Sequence, residues 1–308
     1  MIQSIWDKKN KIKLKYPAFW NIVSWWYYEW PILLCFFDLH MLKTFIRNKS
    51  KRKKVLFYPR KPIHEHTIYK IYYLLGYTLS NDPLKNKDLI ISWDYNTHRP
   101  KCDTLEKIAL KNKVLNLHCT DISKEKVTSI FYKVFGYNYN INPLKYDGLC
   151  VKKSNLNALH DGVLIKCPID KTEEGFVYQK IINNQVDHEQ VMDIRVPIIG
   201  INIPYVYLKY RPLNDRFSNK NTRVTIVDTQ EIINDSEKDK ILAFAKEIGL
   251  DFGEIDLARD KNDGKLYVLD VSNTPGGPPN HIALKDWLIA MKTQTLSFKT
   301  VFIDGALK

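Results

Sequence analysis

From Lys53 onward the chain alternates short apolar runs with stretches whose apolar residues recur at helical spacing. Val55-Leu-Phe-Tyr58 has the continuous apolar texture of a buried strand. A turn follows at Pro59 to Pro62, then a helix from His66 to Leu75 that Gly76 ends. Leu89-Ile-Ile-Ser-Trp93 and Lys113-Val-Leu-Asn-Leu117 are two more strand runs. Strands separated by helical stretches predict a small parallel sheet over residues 53–119.

The texture then changes. Asp121-Ile-Ser-Lys124 opens a helix whose apolar positions Val127, Ile130, Phe131 and Val134 share one face, and Gly136 ends it. Three short strands follow at 148–152, 162–166 and 175–179. Val191 to Gly200 and Pro204 to Tyr210 read as a β-pair turning near Gly200-Ile-Asn202. Ser236 to Ile248 is a helix with Gly249 as its C-cap. Gly253 to Leu257 and Lys265 to Val271 are strands joined by the turn Asn262-Asp-Gly264, and Ala283 to Thr293 is a last helix. The pattern predicts α/β and α+β parts in four segments: 1–52, 53–119, 120–282 and 283–308.

The first segment stands apart by charge. Residues 1–62 hold 14 Lys/Arg against three acids, whereas the remainder is nearly balanced, so most of the net charge of +13 belongs to an N-terminal arm. Trp20, Trp25, Trp26, Tyr27, Tyr28 and Trp30 crowd the apolar stretch Phe19 to Phe37, and the basic run Asn48 to Lys54 follows it. A local basic charge beside aromatics fits an anionic membrane surface at least as well as nucleic acid. A helix packed on the protein, a peripheral membrane contact through residues 17–54 and a membrane span all remain open for this arm; its Trp and Tyr favour the interface over the hydrocarbon centre. No signal-peptide cleavage pattern is present. The five cysteines are odd in number with no CxxC pair, which argues for buried thiols in a reducing cytoplasm, at most at the inner face of its membrane.

Candidate chemistry concentrates in Gly253-Glu-Ile-Asp-Leu-Ala-Arg259 and Lys265-Leu-Tyr-Val-Leu-Asp-Val-Ser-Asn-Thr-Pro275. Asp256 and Asp270 sit on two strands joined by a tight turn, so a hairpin brings both carboxylates to one end of a sheet. Ile255 and Leu257 flank the first, Leu269 and Val271 the second, and acids in apolar strands need a partner or a metal. Mg²⁺ takes hard oxygen ligands and leaves room for nucleotide phosphates.

These residues resemble the last motif of the ATP-grasp superfamily, in which an acid on one strand precedes a second strand ending in Glu/Asp-x-Asn-x-x-Pro. The resemblance makes Asp256 and Asp270 metal carboxylates. The third ligand of that motif is Asn; its slot holds Ser272, and Asn273 follows, so either Asn273 takes the role or Ser272 fills it. Gln179-Lys180-Ile181-Ile182 resembles the hinge strand that meets adenine. Asp193-Ile-Arg195-Val resembles the Asp-x-Arg-x strand of the glutamate-ligase branch. Arg211, Arg216 and Asn219-Lys-Asn221 fall where that branch places basic residues toward phosphate and substrate. Lys153, with Lys152 as the second choice, resembles the strand-end lysine before a phosphate-covering loop, here Ser154 to Gly162, and Lys124 an earlier phosphate lysine. His160-Asp161 in that loop, and His64, His66, Asp94 and His98 after the first strands, are candidates for the acceptor side.

The resemblance covers residues 120–282, preceded by the parallel-sheet domain and the helical arm. It implies an enzyme that uses ATP and Mg²⁺ to join a carboxylate-bearing substrate to an amine through an acyl phosphate, in modification of a surface polysaccharide or a peptide. Arg195, Arg211 and Arg216 would steady the charge of the transferred phosphoryl group. A kinase on the same fold and a nucleotide-binding module without catalysis are the alternatives, the latter on account of Ser272.

Overall fold

The computed structural model describes residues 52–305, together with Leu39. The arm at 1–52 and its membrane contact therefore lie outside the described residues, save for Leu39 and the last few of the basic run. Among the described residues no helix is long and apolar enough to cross a membrane.

Strands β1 (Lys54–Pro59), β2 (Thr78–Ser80), β3 (Leu89–Trp93) and β4 (Val114–Leu115) form an all-parallel sheet in the order β2-β1-β3-β4. Helices α1 (Thr67–Leu75) and α2 (Asp103–Ala109) are its connections. Leu56, Ile90, Leu105 and Val114 pack together on one side. Pairing of Tyr58 with Ser92 and Pro59 with Trp93 brings the carboxyl ends of β1 and β3 level, which is where open α/β sheets bind ligands. β2 and α2 carry too few apolar residues to show in the sequence pattern.

The expected third strand, 113–117, is cut to Val114–Leu115, because Asn116 turns to φ 56°. Asn tolerates this left-handed conformation better than most residues. Asn116 is fully buried and serves as a clamp. Its backbone N–H donates to Asp251 Oδ2 at 2.7 Å, and its Nδ2 donates to the Phe252 carbonyl at 2.7 Å. Its Oδ1 accepts from the backbone N–H of Asp251 at 2.8 Å and of Phe252 at 2.9 Å. The parallel sheet is thereby fixed to the start of the strand that carries Asp256.

Helix α3 (Lys124–Phe135) begins at Ser123, whose side chain accepts the Lys126 N–H, and ends at Gly136 with φ 83°. Strands β5 (Gly148–Ser154), β6 (Val163–Cys167) and β7 (Phe176–Lys180) make a small antiparallel sheet in the order β6-β5-β7. A larger antiparallel sheet, β10-β9-β8-β11-β12, is built from β8 (Gln190–Ile199), β9 (Val206–Pro212), β10 (Arg223–Val227), β11 (Phe252–Arg259) and β12 (Leu266–Ser272). β10, an edge strand with only its second residue fully buried, had no clear sequence signal. Short α4 (Thr229–Ile232) precedes α5 (Asp235–Ile248), which opens on a capping box of Asn234 and Glu237 and closes at Gly249, φ 79°. A Cβ at Gly249 would lie 2.5 Å from the His118 backbone, so glycine is required there twice over. The last helix, α6, runs Leu284–Phe298, beyond the expected Thr293.

The main core lies between this larger sheet and α3 with α5. Phe131, Phe244, Ile194, Val196, Ile255, Leu257 and Val268 are buried in it. The opposite face of the same strands carries the polar residues at alternate positions.

Replacement of Asn116 by Ala should cost about 2–4 kcal/mol of stability, since it strands several buried hydrogen-bonding groups of β11. Urea denaturation should show a lower midpoint with an unchanged slope, and a midpoint equal to that of the wild type would refute the clamp.

Candidate active site

Antiparallel pairing sets which side chains share a face. Asp256 stands directly across from Asp270 on one side and from Arg195 on the other. Asp193 stands across from Lys209, and Glu254 across from Ser272. Because alternate residues of a strand share a face, Asp193, Arg195, Lys209, Arg211, Glu254, Asp256, Asp270 and Ser272 form one polar field on the sheet. A bulge after Asp256 keeps the two aspartates in register.

The charges of this field are paired. Arg195 grips Asp256 with two parallel bonds, Nε to Oδ1 at 2.7 Å and Nη2 to Oδ2 at 2.8 Å. Lys209, only 3% exposed, donates to Asp256 Oδ2 at 3.1 Å. Burial opposes a charge on Asp256, but the two cations overcome it and hold its carboxyl well below the ordinary carboxylate range. Lys209 itself is lowered from the usual lysine value by burial and by Arg195. Lys124, on the first turn of α3, donates to Asp270 Oδ1 at 2.8 Å and to Asn157 Oδ1 at 3.3 Å. Asp193 accepts from Arg211 Nη2 and, at 2.8 Å, from Asn184 Nδ2. Glu254, two residues before Asp256 and 2% exposed, is raised to about 7 by burial.

Between this field and the small sheet lies a cleft of about 990 Å³, counting its open mouth. Its walls include Lys124, Lys153, Gln179, Lys180, Ile182, Asp193, Arg211, Arg216, Asp256 and Asp270. Lys152 and Lys153 divide as neighbours on a strand must. Lys153 faces the cleft, where burial and Lys124 push it down to about 8, while Lys152 pairs with Glu173 and lies over the Phe176 ring. His160, with φ 52°, and Asp161 line the mouth, and Asp161 accepts the Ser154 N–H. Gly162 lets this loop lie against Phe217, since a Cβ there would come within 2.9 Å of the ring.

Other expected residues have structural work. Gln179 donates to Thr128 at 3.1 Å and Asn140 at 3.2 Å, and Lys180 donates to Asp260 at 3.1 Å and Tyr267 at 2.6 Å; both hold the small sheet to its surroundings. Arg216 donates to the Ile182 carbonyl at 2.7 Å, tying its loop to the hinge. Ile181 does not line the cleft, nor does Arg195, which lies behind Asp256. Asn273 is the clear departure. It is 1% exposed and turned from the aspartates, with Nδ2 donating to the Cys119 carbonyl at 3.2 Å. Strand alternation puts Ser272, not Asn273, on the face of Asp270.

Lys209 and Glu254 were not singled out from the sequence. The available signal was period two: Lys209 precedes Arg211 by two on an apolar strand, and Glu254 precedes Asp256 by two. Of the acceptor-side candidates, His98 pairs with Asp121 at 3.3 Å and His66 stacks on Tyr95, 5.4 Å between ring centres.

The donor set at Asp256, Asp270 and Ser272 is all oxygen and fits Mg²⁺ rather than a softer metal. Among the described residues no group of three or more His, Cys, Asp or Glu converges for a metal. A cation there would rest on two carboxylates, with phosphate, hydroxyl or water completing its shell.

No protein-family model matches the chain, and no curated protein matches it. Among solved structures it is similar to D-alanine–D-alanine ligase from Bacillus anthracis complexed with ATP, with 13% identity and a TM-score of 0.51 over 82% of this chain and 96% of that one. It is also similar to a RiPP-associated ATP-grasp ligase of Chryseobacterium gregarium in complex with ADP and a leader and core peptide, at 12% identity and TM-score 0.46 over 83% and 98%. A third is the macrocyclase MdnC from Microcystis aeruginosa MRC bound with precursor peptide MdnA, at 12% identity and TM-score 0.43 over 81% and 99%. The ligase from Bacillus anthracis is matched over nearly its whole length. At this identity the likeness to the Bacillus anthracis ligase shows a shared fold.

Proposed function

We propose that the chain is an ATP- and Mg²⁺-dependent ligase, acting in the cytoplasm, that joins a carboxylate to an amine through an acyl phosphate. The observation that carries this reading is the cross-strand pair Asp256 and Asp270, set in a cleft whose other walls supply Lys124, Lys153, Lys209 and Arg211. A triphosphate needs such a mixture: carboxylates for the metal, and cations for the remaining phosphate charge. The D-alanine–D-alanine ligase is by name an enzyme that joins a carboxylate to an amine, and its structure holds ATP.

In the reaction, a substrate carboxylate oxygen bonds to the γ-phosphorus and the bond to the β-phosphate oxygen breaks, releasing ADP. The amine nitrogen then bonds to the acyl carbon, and the carbon–oxygen bond to phosphate breaks. Mg²⁺ on Asp256 and Asp270 would draw charge from the phosphate oxygens. Lys153 and Lys124 approach from the small sheet and from α3, and Arg211, held by Asp193 and the carbonyls of Arg216 and Ser218, presents a fixed cation. Arg195 supports the site through Asp256, as a positioning residue.

The direct test supplies ATP, Mg²⁺ and pools of carboxylates with hydroxylamine. A hydroxamate is the expected product. A stable phosphorylated product indifferent to hydroxylamine would make the chain a kinase, and no ADP release with any pool would leave nucleotide binding alone.

The two aspartates should differ when changed to Asn. Asp270→Asn should abolish Mg²⁺-dependent turnover with a melting temperature near that of the wild type, because Asp270 is partly exposed and its partner Lys124 has Asn157 as well. Asp256→Asn should also abolish turnover and in addition cost about 3–5 kcal/mol, because it leaves Arg195 and Lys209 buried without their carboxylate. Calorimetry beside an ADP-release assay checks both, and equal stability of the two variants would contradict the assignment.

Ser272→Ala should raise the Mg²⁺ concentration needed for half-maximal turnover. Asn273→Ala should instead lower the melting temperature while leaving that Mg²⁺ requirement unchanged. The reverse ranking would return the ligand role to Asn273.

Burial and Lys124 push Lys153 down to about 8, so its charge is lost as pH rises through that value. Phosphate would raise its value, so ATP affinity should hold up to about pH 8 and fall above it, by up to about tenfold per pH unit. Isothermal titration at pH 7 and pH 9 measures the slope. Lys153→Met should bind ATP more weakly and lose most of that dependence.

A further inference from the structure

Resting on the ligase reading, we infer that Glu254 is the site that takes the amine of the second substrate. Glu254 shares the sheet face of Asp256 and stands across from Ser272, so it lies next to the place where the acyl phosphate would form. It is 2% exposed, yet neither carboxylate oxygen has a hydrogen bond among the described residues. Buried carboxylates are normally bonded, and one left bare calls for an occupant.

The cations nearby pair with only one of the Glu254 oxygens. Arg195 spends Nε and Nη2 on Asp256, and its Nη1 forms an ion pair with Glu254 Oε2 at 3.3 Å that lacks hydrogen-bond geometry. Lys70 donates to the carbonyls of Glu65 at 2.7 Å and Gly277 at 2.8 Å. Thr67 Oγ1, on the same side, is also buried without a partner. A carboxylate ion-paired at one oxygen and hydrogen-bonded at neither, beside a hydroxyl without a partner among the described residues, asks for a ligand that donates N–H bonds. A primary amine meets that demand, and a second carboxylate or a phosphate does not.

Gly277 stands beside Glu254, and its neighbour Gly276 is exposed, where a Cβ would meet nothing within 4 Å. A Cβ on Gly277 would stand 3.2 Å from Thr67 Oγ1 and 3.8 Å from Glu254 Oε1, in the space the amine needs. This segment is held in place by three contacts to the start of α1: Thr67 N–H to the Pro275 carbonyl at 3.1 Å, Gly277 N–H to the Glu65 carbonyl at 3.1 Å, and the Lys70 bond above. The parallel-sheet domain therefore forms one wall of the amine site.

The test uses the full chain with Mg²⁺ and a non-hydrolysable ATP analogue, and reads binding of methylammonium by saturation-transfer NMR. Tetramethylammonium, which has the charge but no N–H, is the control. The wild type should bind methylammonium and not tetramethylammonium. Glu254→Gln should weaken methylammonium binding at least about tenfold. Gly277→Ala, which keeps the carboxylate and fills the space, should do the same, and both variants should bind the nucleotide analogue as the wild type does. Competition by alanine, a blocked lysine or glucosamine then tells a free amino acid, a peptide side chain and an amino sugar apart. No methylammonium binding, equal binding of the two ammonium probes, or wild-type binding by both variants would overturn the inference. Loss of nucleotide binding by the wild type would instead overturn the ligase reading, so the two failures are distinct.

Discussion

The pairing of Asp256 with Arg195 and Lys209 is the interaction on which the site depends. Three charges in a space this dry are each costly alone, and only their mutual geometry makes the arrangement tolerable. Arg195 reaches Asp256 because β8 and β11 place them opposite one another; Lys209 comes from β9, one strand farther out. The apolar face of the same strands is buried against α3 and α5, which forbids a register slip, since a shift by one residue would exchange the two faces. The core thus sets the position of the charges, and the charges in turn oblige the strands to stay in register.

The second carboxylate is held differently. Asp270 is opposite Asp256, but its cation, Lys124, comes from the first turn of a helix outside the sheet. Lys153 comes from the small sheet and Arg211 from β9. Cations from several elements converge on a pair of carboxylates from a single hairpin, which leaves a gap between them suited to a ligand of alternating charge. A metal-bound triphosphate, the ligand we propose, has that character.

The parallel sheet contributes through Asn116. By ending β4 in the left-handed conformation and bonding to both Asp251 and Phe252, this one residue joins the sheet of residues 54–115 to the strand that carries Glu254 and Asp256. The loop at Pro275 to Gly277 makes a second junction with the start of α1.

What the sequence determined by itself was local. Apolar runs and helical spacing located most strands and four of the helices, since burial of one face leaves its period in the chain. The hairpin acids Asp256 and Asp270 were legible because charge inside an apolar strand is conspicuous, and the alternation of Lys152 and Lys153 already required that only one face the cleft. Tertiary structure decided the rest. Whether Ser272 or Asn273 faces Asp270 depends on where the strand stops alternating, and Asn273 is drawn inward by the Cys119 carbonyl, 154 residues away in sequence. Lys209 and Glu254 gained their significance only from cross-strand partners, and Asn116 from a segment 135 residues downstream. Such contacts leave no period in the chain, because they are made between elements whose relative positions are set by the packing of the whole core.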